Sequence, residues 1–535
     1  MGSAFFEFNI GAYGLFAAQH GLSATSNNIT NANTVGYSRQ VVQQEAGKAL
    51  RGMGVGMLGA GVTVTGIERM RNSYLDMKIW NQKPILGEYR VKAEQSSLIE
   101  GVFGEPSDVG FTTIFNDLFT GLDNLAKLPD EGERKFGLMQ SLKGFTQYFN
   151  TTSSSLKKYQ NDLNFEVKNK VDEINIIGRR IESLNQQIFG AEIHGGNMAN
   201  GLRDERELQI DRLAELVNIE AKEYEIIGEH GQLEKRYSVK INGQNFVDHF
   251  SMRELDIKIR EEKENPEDVE NLYDVVWKDG LRFKMNDANL RGELKGAIDM
   301  RDGNAGDFAY RGIPYYIKRL DDFVQTFAGK MNGVYEKGVD VEGNDGQMLF
   351  SFDISGNADA QEDLQQLIDA KLASADPDAD EEAITKEVTD AFYKDNLINY
   401  LTADNFRISQ DILDDVSSIR TTTDKDKLPG GNDLLLELIG QKHDRKMFNE
   451  GEPNDYMVSI FSELGINAKE AKMYKSSQEN MTTAIENQRL SVSQVDQSEE
   501  MISLVKYQQA YQAAARIIST MDTIYDITIN RMGAS

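Results

Sequence analysis

Three glycines near residue 55 have the spacing of a dinucleotide-binding turn. Gly54, Gly56 and Gly59 satisfy the pattern G-x-G-x-x-G, in which small residues let the backbone approach a pyrophosphate at the start of a helix. That chemistry requires a strand before the motif and a helix after it. The residues that follow, 62–67 (VTVTGI), alternate as a strand does. We therefore interpret the motif as a glycine-rich turn.

The acidic residues and the histidines do not have the spacing of a metal site. The run 376–382 (DPDADEE) lacks the glycine and the closing glutamate of a calcium loop. A second series, Asp340, Glu342 and Asn344, has Ser351 where the bidentate glutamate should stand. Both segments are interpreted as solvated loops. No H-x-x-x-H or H-E-x-x-H motif occurs among the histidines, which are His20, His194, His230, His249 and His443.

Composition excludes further kinds of chemistry and of partner. The chain has no cysteine, so disulfides, thiolate metal sites and cysteine nucleophiles are excluded. Its 86 acidic and 58 basic residues give a net charge of −28, which repels nucleic acid and anionic membranes. No Walker A motif is present either. We predict a protein without a cofactor that is not an enzyme. A hydrolase with two catalytic acids stays open, because carboxylate pairs are too numerous in so acidic a chain to be informative.

The N-terminus does not have the pattern of a secretion signal. Residues 1–22 are rather apolar but include Glu7, and the first basic residue is Arg39. A cleaved signal needs positive charge before its apolar run, and a membrane span needs about 20 largely apolar residues. We therefore expect any export to use another route.

Both ends of the chain carry apolar positions at alternating spacings of three and four, typical of coiled coils. We expect the terminal segments 1–45 and 495–535 to pair as helices, with the first helix broken by the run 26–33 (SNNITNAN) and the last one capped at Asp496. Gly11, Gly14 and Gly21 weaken the first helix, so we expect both ends to be disordered in the isolated monomer. Alternatively, these apolar positions belong to the ordinary core of a globular helical domain. The positions form one stripe in each segment. The first stripe is Phe8, Ala12, Leu15, Gln19, Leu22, Ser26 and Ile29. The second is Leu504, Tyr507, Tyr511, Ala514, Ile518, Met521 and Tyr525.

The rest of the chain is mainly helical, with one β-rich insertion. Helical spacing covers 107–195 with an interruption at Pro129, and it returns at 202–219, at 313–338 and from about 456. Alternation with the turns Asn242-Gly243 and Asp279-Gly280 predicts β-hairpins. We predict an elongated, mainly α protein with several domains. Besides the paired ends they are a helix-rich rod (46–220, 299–340 and 400–494), an inserted, solvent-facing β domain (221–298) and an acidic insert (341–399).

Residues 25–40 (TSNNITNANTVGYSRQ) resemble the N-terminal signature of flagellar rod, hook and hook-associated proteins. The GYSRQ ending is most similar to the FlgK type of hook-associated protein. Residues 459–471 (SIFSELGINAKEA) and 499–521 resemble the C-terminal signature of the same family. The chain departs from the pattern at Val35, where proline is common, and in the acidic insert. Further similar segments are 61–69, 74–76, 103–108, 202–219, 293–302 and 489–493.

The resemblance implies a structural protein that joins the flagellar hook to the filament. It implies export as an unfolded chain through the flagellar type III apparatus, and an extracellular location. The implied partners are copies of the chain in a ring, the hook protein, a second junction protein of the FlgL type and an export chaperone of the FlgN type. The candidate assembly residues are the second stripe with Asn27, Asn28, Asn31, Asn33, Gly36, Tyr37, Ser38 and Arg39.

Other functions stay open at this stage. The asparagine-rich segment after the first helix could form a local turn or contact a neighbouring subunit. The chain could be another axial protein, such as the hook protein, a distal rod protein or the second junction protein. An enzyme carried on an axial scaffold would need a catalytic motif, and the sequence has none. An adhesin-like binding module is a third class, suggested by the β domain and the acidic insert.

Overall fold

The computed structural model shows a mainly α protein. It describes residues 6–52, 56–105, 107, 110–193, 198–227, 233–285, 287–307, 309–340, 343–375 and 380–531. The α-helices are α1 Phe6–Asn31, α2 Ser73–Phe103, α3 Phe111–Lys127, α4 Gly132–Glu192, α5 Asn200–Leu216, α6 Glu293–Asp302, α7 Ile313–Tyr335, α8 Ala358–Ala373, α9 Glu381–Asp395, α10 Leu397–Tyr400, α11 Gln410–Asp414, α12 Asp433–Gly440, α13 Pro453–Ser493 and α14 Gln497–Asp526.

The strands form small antiparallel sheets. A four-stranded sheet has the order β5-β6-β7-β8, and the pairs are β1 with β4, β2 with β3, β9 with β10, and β11 with β12. The strands are β1 Gln40–Ala46, β2 Leu50–Gly52, β3 Gly56–Leu58, β4 Val62–Arg69, β5 Ile219–Ile227, β6 Leu233–Ile241, β7 Gln244–Asp248, β8 Ser251–Met252, β9 Leu255–Ile259, β10 Tyr273–Trp277, β11 Phe350–Phe352 and β12 Phe406–Ile408.

The hairpin turns in the β-rich region are those that the sequence predicts. Asn242 and Gly243 have φ angles of 46° and 75°, and they join β6 to β7. Both central residues of this kind of turn need positive φ, which asparagine and glycine adopt most readily. Gly280, with φ of 85°, turns the chain after β10 so that the Trp277 amide donates to the Leu281 carbonyl at 2.9 Å.

Helix α4 is the spine against which the other elements pack. Its first half contributes Phe145 and Phe149 to a buried aromatic core with residues of α3 and α7, and Phe149 stacks on Phe323 with ring centroids 5.2 Å apart. Its second half packs on the β-rich region. There the Asn175 side chain donates to the Leu255 carbonyl and accepts from the Leu255 amide. One helix therefore connects the aromatic core to the β-rich region.

Two antiparallel helix pairs bring the beginning and the end of the chain together. In the first pair, α2 runs against α13, with Tyr89 stacked on Tyr474 at 4.7 Å between ring centroids. In the second pair, α1 runs against α14, since Gly11 lies beside Ile518 and Gly21 lies beside Tyr507. The predicted pairing of the terminal helices is thus present within one chain, and both helices are formed in that single chain, where the sequence predicts disorder.

The structure corrects two predictions about the chain's polar runs. Helix α1 continues to Asn31, so Ser26 to Asn31 end the helix and do not break it. Helix α9 begins at Glu381, and Asp380 caps it by accepting from the Glu382 and Ala383 amides, so this end of the acidic run is helical. Residues 376–379 of that run lie outside the described residues.

The segments considered for binding chemistry have ordinary structural roles. Gly56 begins β3, and β4 follows the motif where a nucleotide site needs a helix, while Gly54 lies outside the described residues. The Asp340 carboxylate accepts from the Asn344 amide and side chain, while Glu342 also falls outside the described part. Among the described residues there is no acidic or histidine group that could hold a metal. None of the described helices is long and apolar enough to cross a membrane.

The packing of α4 on the β-rich region depends on a glycine. A Cβ added at Gly178 would lie 2.8 Å from Phe246 Cε1 and 2.5 Å from Met252 Cε, whereas one added at Gly190 of the same helix meets open space. We expect Gly178→Ala to lower the free energy of unfolding by about 1 to 3 kcal/mol through overpacking. Gly190→Ala should raise it by up to about 1 kcal/mol through helix propensity. Urea denaturation of the two variants checks this. Equal effects would show that α4 and β7 do not meet as described.

Candidate assembly interface

The buried face of α1 is made of small residues and lies one position away from the predicted stripe. Its members are Gly11, Ala17, Ala18, Gly21, Ala24, Thr25 and Asn28, and Gly14 is half-buried on the same side. The predicted face was wrong: Gln19 and Ser26 of that stripe are exposed, and its other members are half-buried. The glycines that weaken the isolated helix are the residues that let α14 approach it closely.

The predicted stripe of α14 faces α1. Ala514 is buried, and Leu504, Tyr507, Ile518, Met521 and Tyr525 are half-buried on a helix whose other residues are mostly exposed. Tyr511 is 38% exposed and lies at the margin of the contact. A Cβ at Gly21 would lie 2.7 Å from Cγ of the Tyr507 ring, while a Cβ at Gly14 would lie 3.7 Å from Ala514 Cβ. The tyrosine ring therefore occupies the place that a side chain at residue 21 would take.

Asn28 folds the chain back after α1. Its side-chain amide donates to the Gln40 carbonyl and its side-chain oxygen accepts from the Gln40 amide, both at 2.9 Å. The Tyr37 hydroxyl donates to the same oxygen at 2.8 Å. Burial, with Asp204 and Glu500 nearby, raises the pKa of Tyr37 to about 12. The phenol therefore keeps the proton that it donates.

Ser38 fixes this segment to α5 through the carboxylate of Asp204. The Ser38 amide donates to Asp204 Oδ2 at 3.1 Å, and its hydroxyl donates to Oδ1 at 2.7 Å. Arg69 donates to the same oxygen at 2.8 Å, and Arg71 lies 4.0 Å from it. Because both Ser38 and Asp204 are buried, the carboxylate has little access to water and depends on these donors.

A second buried carboxylate joins α13 to the same cluster. Asp211 accepts from the Trp80 indole at 2.8 Å and forms an ion pair with Arg489 at 2.7 Å. Burial alone would raise the pKa of Asp211, but the bonds from Arg489 and Trp80 hold it below its ordinary value. Arg71 makes a bidentate pair with Asp76 at 2.9 and 3.0 Å. These pairs hold α2, α5 and α13 together beneath the Ser38 segment.

Arg39 connects the cluster to the start of α14. Its guanidinium donates to Glu500 at 2.7 Å and to Glu499 at 3.1 Å, and its amide donates to the Ser493 carbonyl at 2.9 Å. Glu500 is buried and Glu499 is exposed, so the pair with Glu500 contributes more to stability. The residues Ser38 to Gln40 thus contact α1, α5 and α14.

The remaining predicted residues of the first segment make local contacts. The Asn31 side chain donates to the carbonyl and to the side-chain oxygen of Asn27, one turn earlier. Asn33 is exposed in the loop after α1. Gly36 has φ of 83°, a conformation that favours glycine. Within this chain, Asn27, Asn31, Asn33 and Gly36 therefore shape the end of α1 and the loop that follows.

The residues of α5 that hold this segment are not among those predicted from the sequence. Asp204, Glu207 and Asp211 recur at spacings of three and four, and all three are buried. A helix so rich in charge is expected to be exposed. The recurrence of carboxylates at helical spacing beside only a few apolar residues was the signal that could have identified them.

Large apolar side chains remain exposed on the terminal helix pair. Tyr13 and Phe16 of α1 are exposed, and so are Ile502, Val505 and Ile524 of α14. Within one chain, the described residues do not cover them. A solvent-exposed set of this size on paired helices is typical of a surface that another protein covers.

Comparison with known proteins decides the family. Residues 96–350 match the family model described as the flagellar hook-associated protein FlgK helical domain. Residues 486–532 match the model described as the flagellar basal body rod FlgEFG protein C-terminal region. Flagellar hook-associated protein 1 of Bacillus subtilis is 27% identical over 100% of this chain and 99% of its own length. The chain belongs to the FlgK family.

A second curated relative agrees with this assignment over nearly the whole chain. Flagellar hook-associated protein 1 of Escherichia coli is 24% identical, with 97% of this chain and 98% of its own covered. A solved structure, the flagellar hook junction protein FlgK from Burkholderia pseudomallei, is 19% identical, covers 53% of this chain and 47% of its own, and has a TM-score of 0.41. As a FlgK protein, the chain is a hook-associated structural protein of the bacterial flagellum.

The carboxylate of Asp204 provides a direct test of the polar cluster. Asp204→Asn keeps the shape but removes one of the two carboxylates that Arg69 and Arg71 share, the other being Glu207, which should lower the free energy of unfolding by about 3 kcal/mol. The neighbouring Glu205 pairs with Arg180 at an exposed position, so Glu205→Gln should change it by less than about 1 kcal/mol. Urea denaturation compares the two. Similar values would contradict a buried, structure-determining role for Asp204.

Proposed function

We propose that this chain is the junction adaptor between the flagellar hook and the filament. The observation that carries the proposal is the antiparallel pair of α1 and α14, which is fixed to the helical domain and still exposes Ile502, Val505 and Phe16. Rigid attachment suits a part that transmits torque. An uncovered apolar face suits packing against neighbouring subunits in a closed ring, where each contact is repeated by the next copy.

The proposed partners follow from this arrangement and from the family. Copies of the chain form the ring, the hook protein lies on one side, and a second junction protein of the FlgL type lies on the other. An export chaperone of the FlgN type covers the apolar face before assembly, because an exposed surface of this kind promotes aggregation. The chain passes through the flagellar type III apparatus and acts outside the cell.

We also propose that the protein acts without catalysis. The buried charged groups of the Asp204 cluster are paired with one another and hold α2, α5, α13 and the Ser38 segment in place. Their arrangement serves packing, since Asp204, Asp76 and Asp211 each face an arginine. We further propose that the predicted domains, including the β domain over 221–298 and the acidic insert over 341–399, fold as separate units.

Electron microscopy of a strain that lacks the gene tests the function. If the chain is the junction adaptor, the strain should make hooks of normal length without filaments and release flagellin into the medium. Loss of the hook itself would assign the chain to the rod or the hook. Normal filaments would overturn the proposal and favour a binding module.

Substitutions in α14 separate pairing within the chain from assembly between chains. Ile518 faces Gly11, with Cγ1 3.1 Å from the position of a Cβ there, so Ile518→Asp should weaken the α1 and α14 pair by about 3 kcal/mol. Ile502 is exposed, so Ile502→Asp should leave the monomer's thermal unfolding unchanged and still prevent filament attachment. Both variants should be secreted. Circular dichroism of the purified monomer and microscopy of the cells provide the measurements.

Gln509 offers the matched control for both variants. It lies on α14 and is exposed, and Gln509→Asp adds the same charge without removing an apolar side chain. Cells with this variant should keep their filaments. If all three variants are equally defective, the apolar faces of α14 do not determine assembly. Normal filaments with Ile502→Asp would show that its exposed face is not a contact surface.

A further inference from the structure

A pocket lies between the end of α4, the middle of α5 and the strand β6. Its volume is about 300 Å³, roughly twice the ~150 Å³ of an apolar cavity that holds one benzene molecule. The apolar part of the lining includes Ile188, Phe189 and Met198. The described walls therefore enclose room for a ring or a short alkyl chain together with a polar group.

One wall of the pocket carries a buried arginine without an acidic partner. Arg206 is 2% exposed, and among the described residues no carboxylate oxygen lies within 4 Å of its guanidinium. The guanidinium stacks over the Tyr237 ring at 3.7 Å and donates from Nη1 to Asn185 Oδ1 at 3.1 Å. Its Nε is buried and has no hydrogen-bond partner in the described structure. A buried cation in this state lacks a counter-ion.

A histidine lies next to the arginine with both ring nitrogens unused. His249 is buried, and neither Nδ1 nor Nε2 has a hydrogen-bond partner among the described residues. Its backbone carbonyl accepts from the Asn185 side chain at 2.9 Å, which places the histidine beside the group that Arg206 contacts. Burial and the nearby Arg236 lower the pKa of His249. The imidazole is then neutral and has one N–H to donate.

The other charged groups of the lining balance one another. Arg203 pairs with Glu192 at 2.7 Å and with Glu223 at 3.0 Å. Lys235 and Glu234 also line the pocket, and Glu234 lies 3.4 Å from Arg236. Burial lowers the pKa of Arg206 and Arg203 adds to this, while Tyr237, Glu207 and Glu223 act in the opposite direction. An anion in the pocket would therefore meet a cation that has no carboxylate of the described residues in direct contact.

We propose that this pocket binds a small carboxylic acid with an apolar body. The carboxylate accepts from the guanidinium of Arg206 and from the imidazole of His249 after a small rotation of these side chains, which exposes their buried nitrogens, and the body packs against Ile188, Phe189 and Met198. Charge-assisted bonds of this kind satisfy donors that are otherwise buried without partners. The size of the pocket suits an aromatic or short aliphatic acid of about ten non-hydrogen atoms. The site lies apart from the α1 and α14 pair, so the proposal does not depend on the junction function.

Isothermal titration calorimetry of the full-length monomer tests the site with defined probes. Benzoate and hexanoate should bind with Kd values of about 0.1 to 1 mM, in the range expected for ligands of this size. Benzyl alcohol and 1-hexanol, which lack the charge, should bind at least about tenfold more weakly. Nitrogen-15 NMR of the histidine rings should show a shift of the His249 signal with benzoate, assigned by its absence in His249→Gln.

Three variants keep the test decisive. Arg206→Met should weaken benzoate binding at least about tenfold, and Met198→Trp should abolish it by filling the pocket from its partly exposed rim. Arg180→Met, an exposed arginine of α4 outside the pocket, should change nothing. If Arg206→Met fails to fold by circular dichroism, Met198→Trp and the His249 signal decide alone. Absence of binding to the wild type, equal affinity for acids and alcohols, or unchanged binding in Met198→Trp would overturn the proposal.

Discussion

The carboxylate of Asp204 is the contact on which the position of the N-terminal segment depends. It accepts from the amide and hydroxyl of Ser38 while Arg69 compensates its charge. Together with the bond from the Arg39 amide to the Ser493 carbonyl, these bonds place the residues after α1 on the helical domain, where the Arg39 guanidinium reaches Glu500. A buried ion is costly unless its partners are all present. The buried charges of the cluster therefore stabilise one another, and they favour one arrangement of the chain ends.

The pairing of α1 with α14 depends on a different kind of constraint, which is the absence of side chains. The Tyr507 ring fills the space beside Gly21, and Ile518 approaches Gly11. Glycine weakens a helix by up to about 1 kcal/mol, and here the close approach of the partner offsets that cost. The polar cluster fixes where the pair begins, and the small residues determine how closely its helices pack.

Much of the fold could be predicted from the sequence, and the failures have physical causes. The turn at Asn242-Gly243, the cap at Asp496 and the stripe through Ala514 are local patterns, and the structure has all three. The buried face of α1 was missed because apolar periodicity does not register glycine as a contact residue. Asp204 was missed because a charged residue on a polar helix is expected to be exposed to solvent. Its partner Arg69 is brought beside it only by the tertiary fold. Asn28 was expected to break α1, but its side chain bonds to the backbone of Gln40 and leaves the helix intact.

The antiparallel arrangement of α1 and α14 also has a consequence for the order of folding. Joining Gly11 to Ile518 directly would close a loop of roughly 500 residues, at an entropic cost of about 5 kcal/mol. Once α2 has packed on α13, only the segment between α1 and α2 and the short turn at Gln494–Asp496 remain to be closed, which lowers that cost by about 2 kcal/mol. The terminal pair is therefore expected to form after the helical domain, and a chain truncated at either end leaves the opposite helix without its partner.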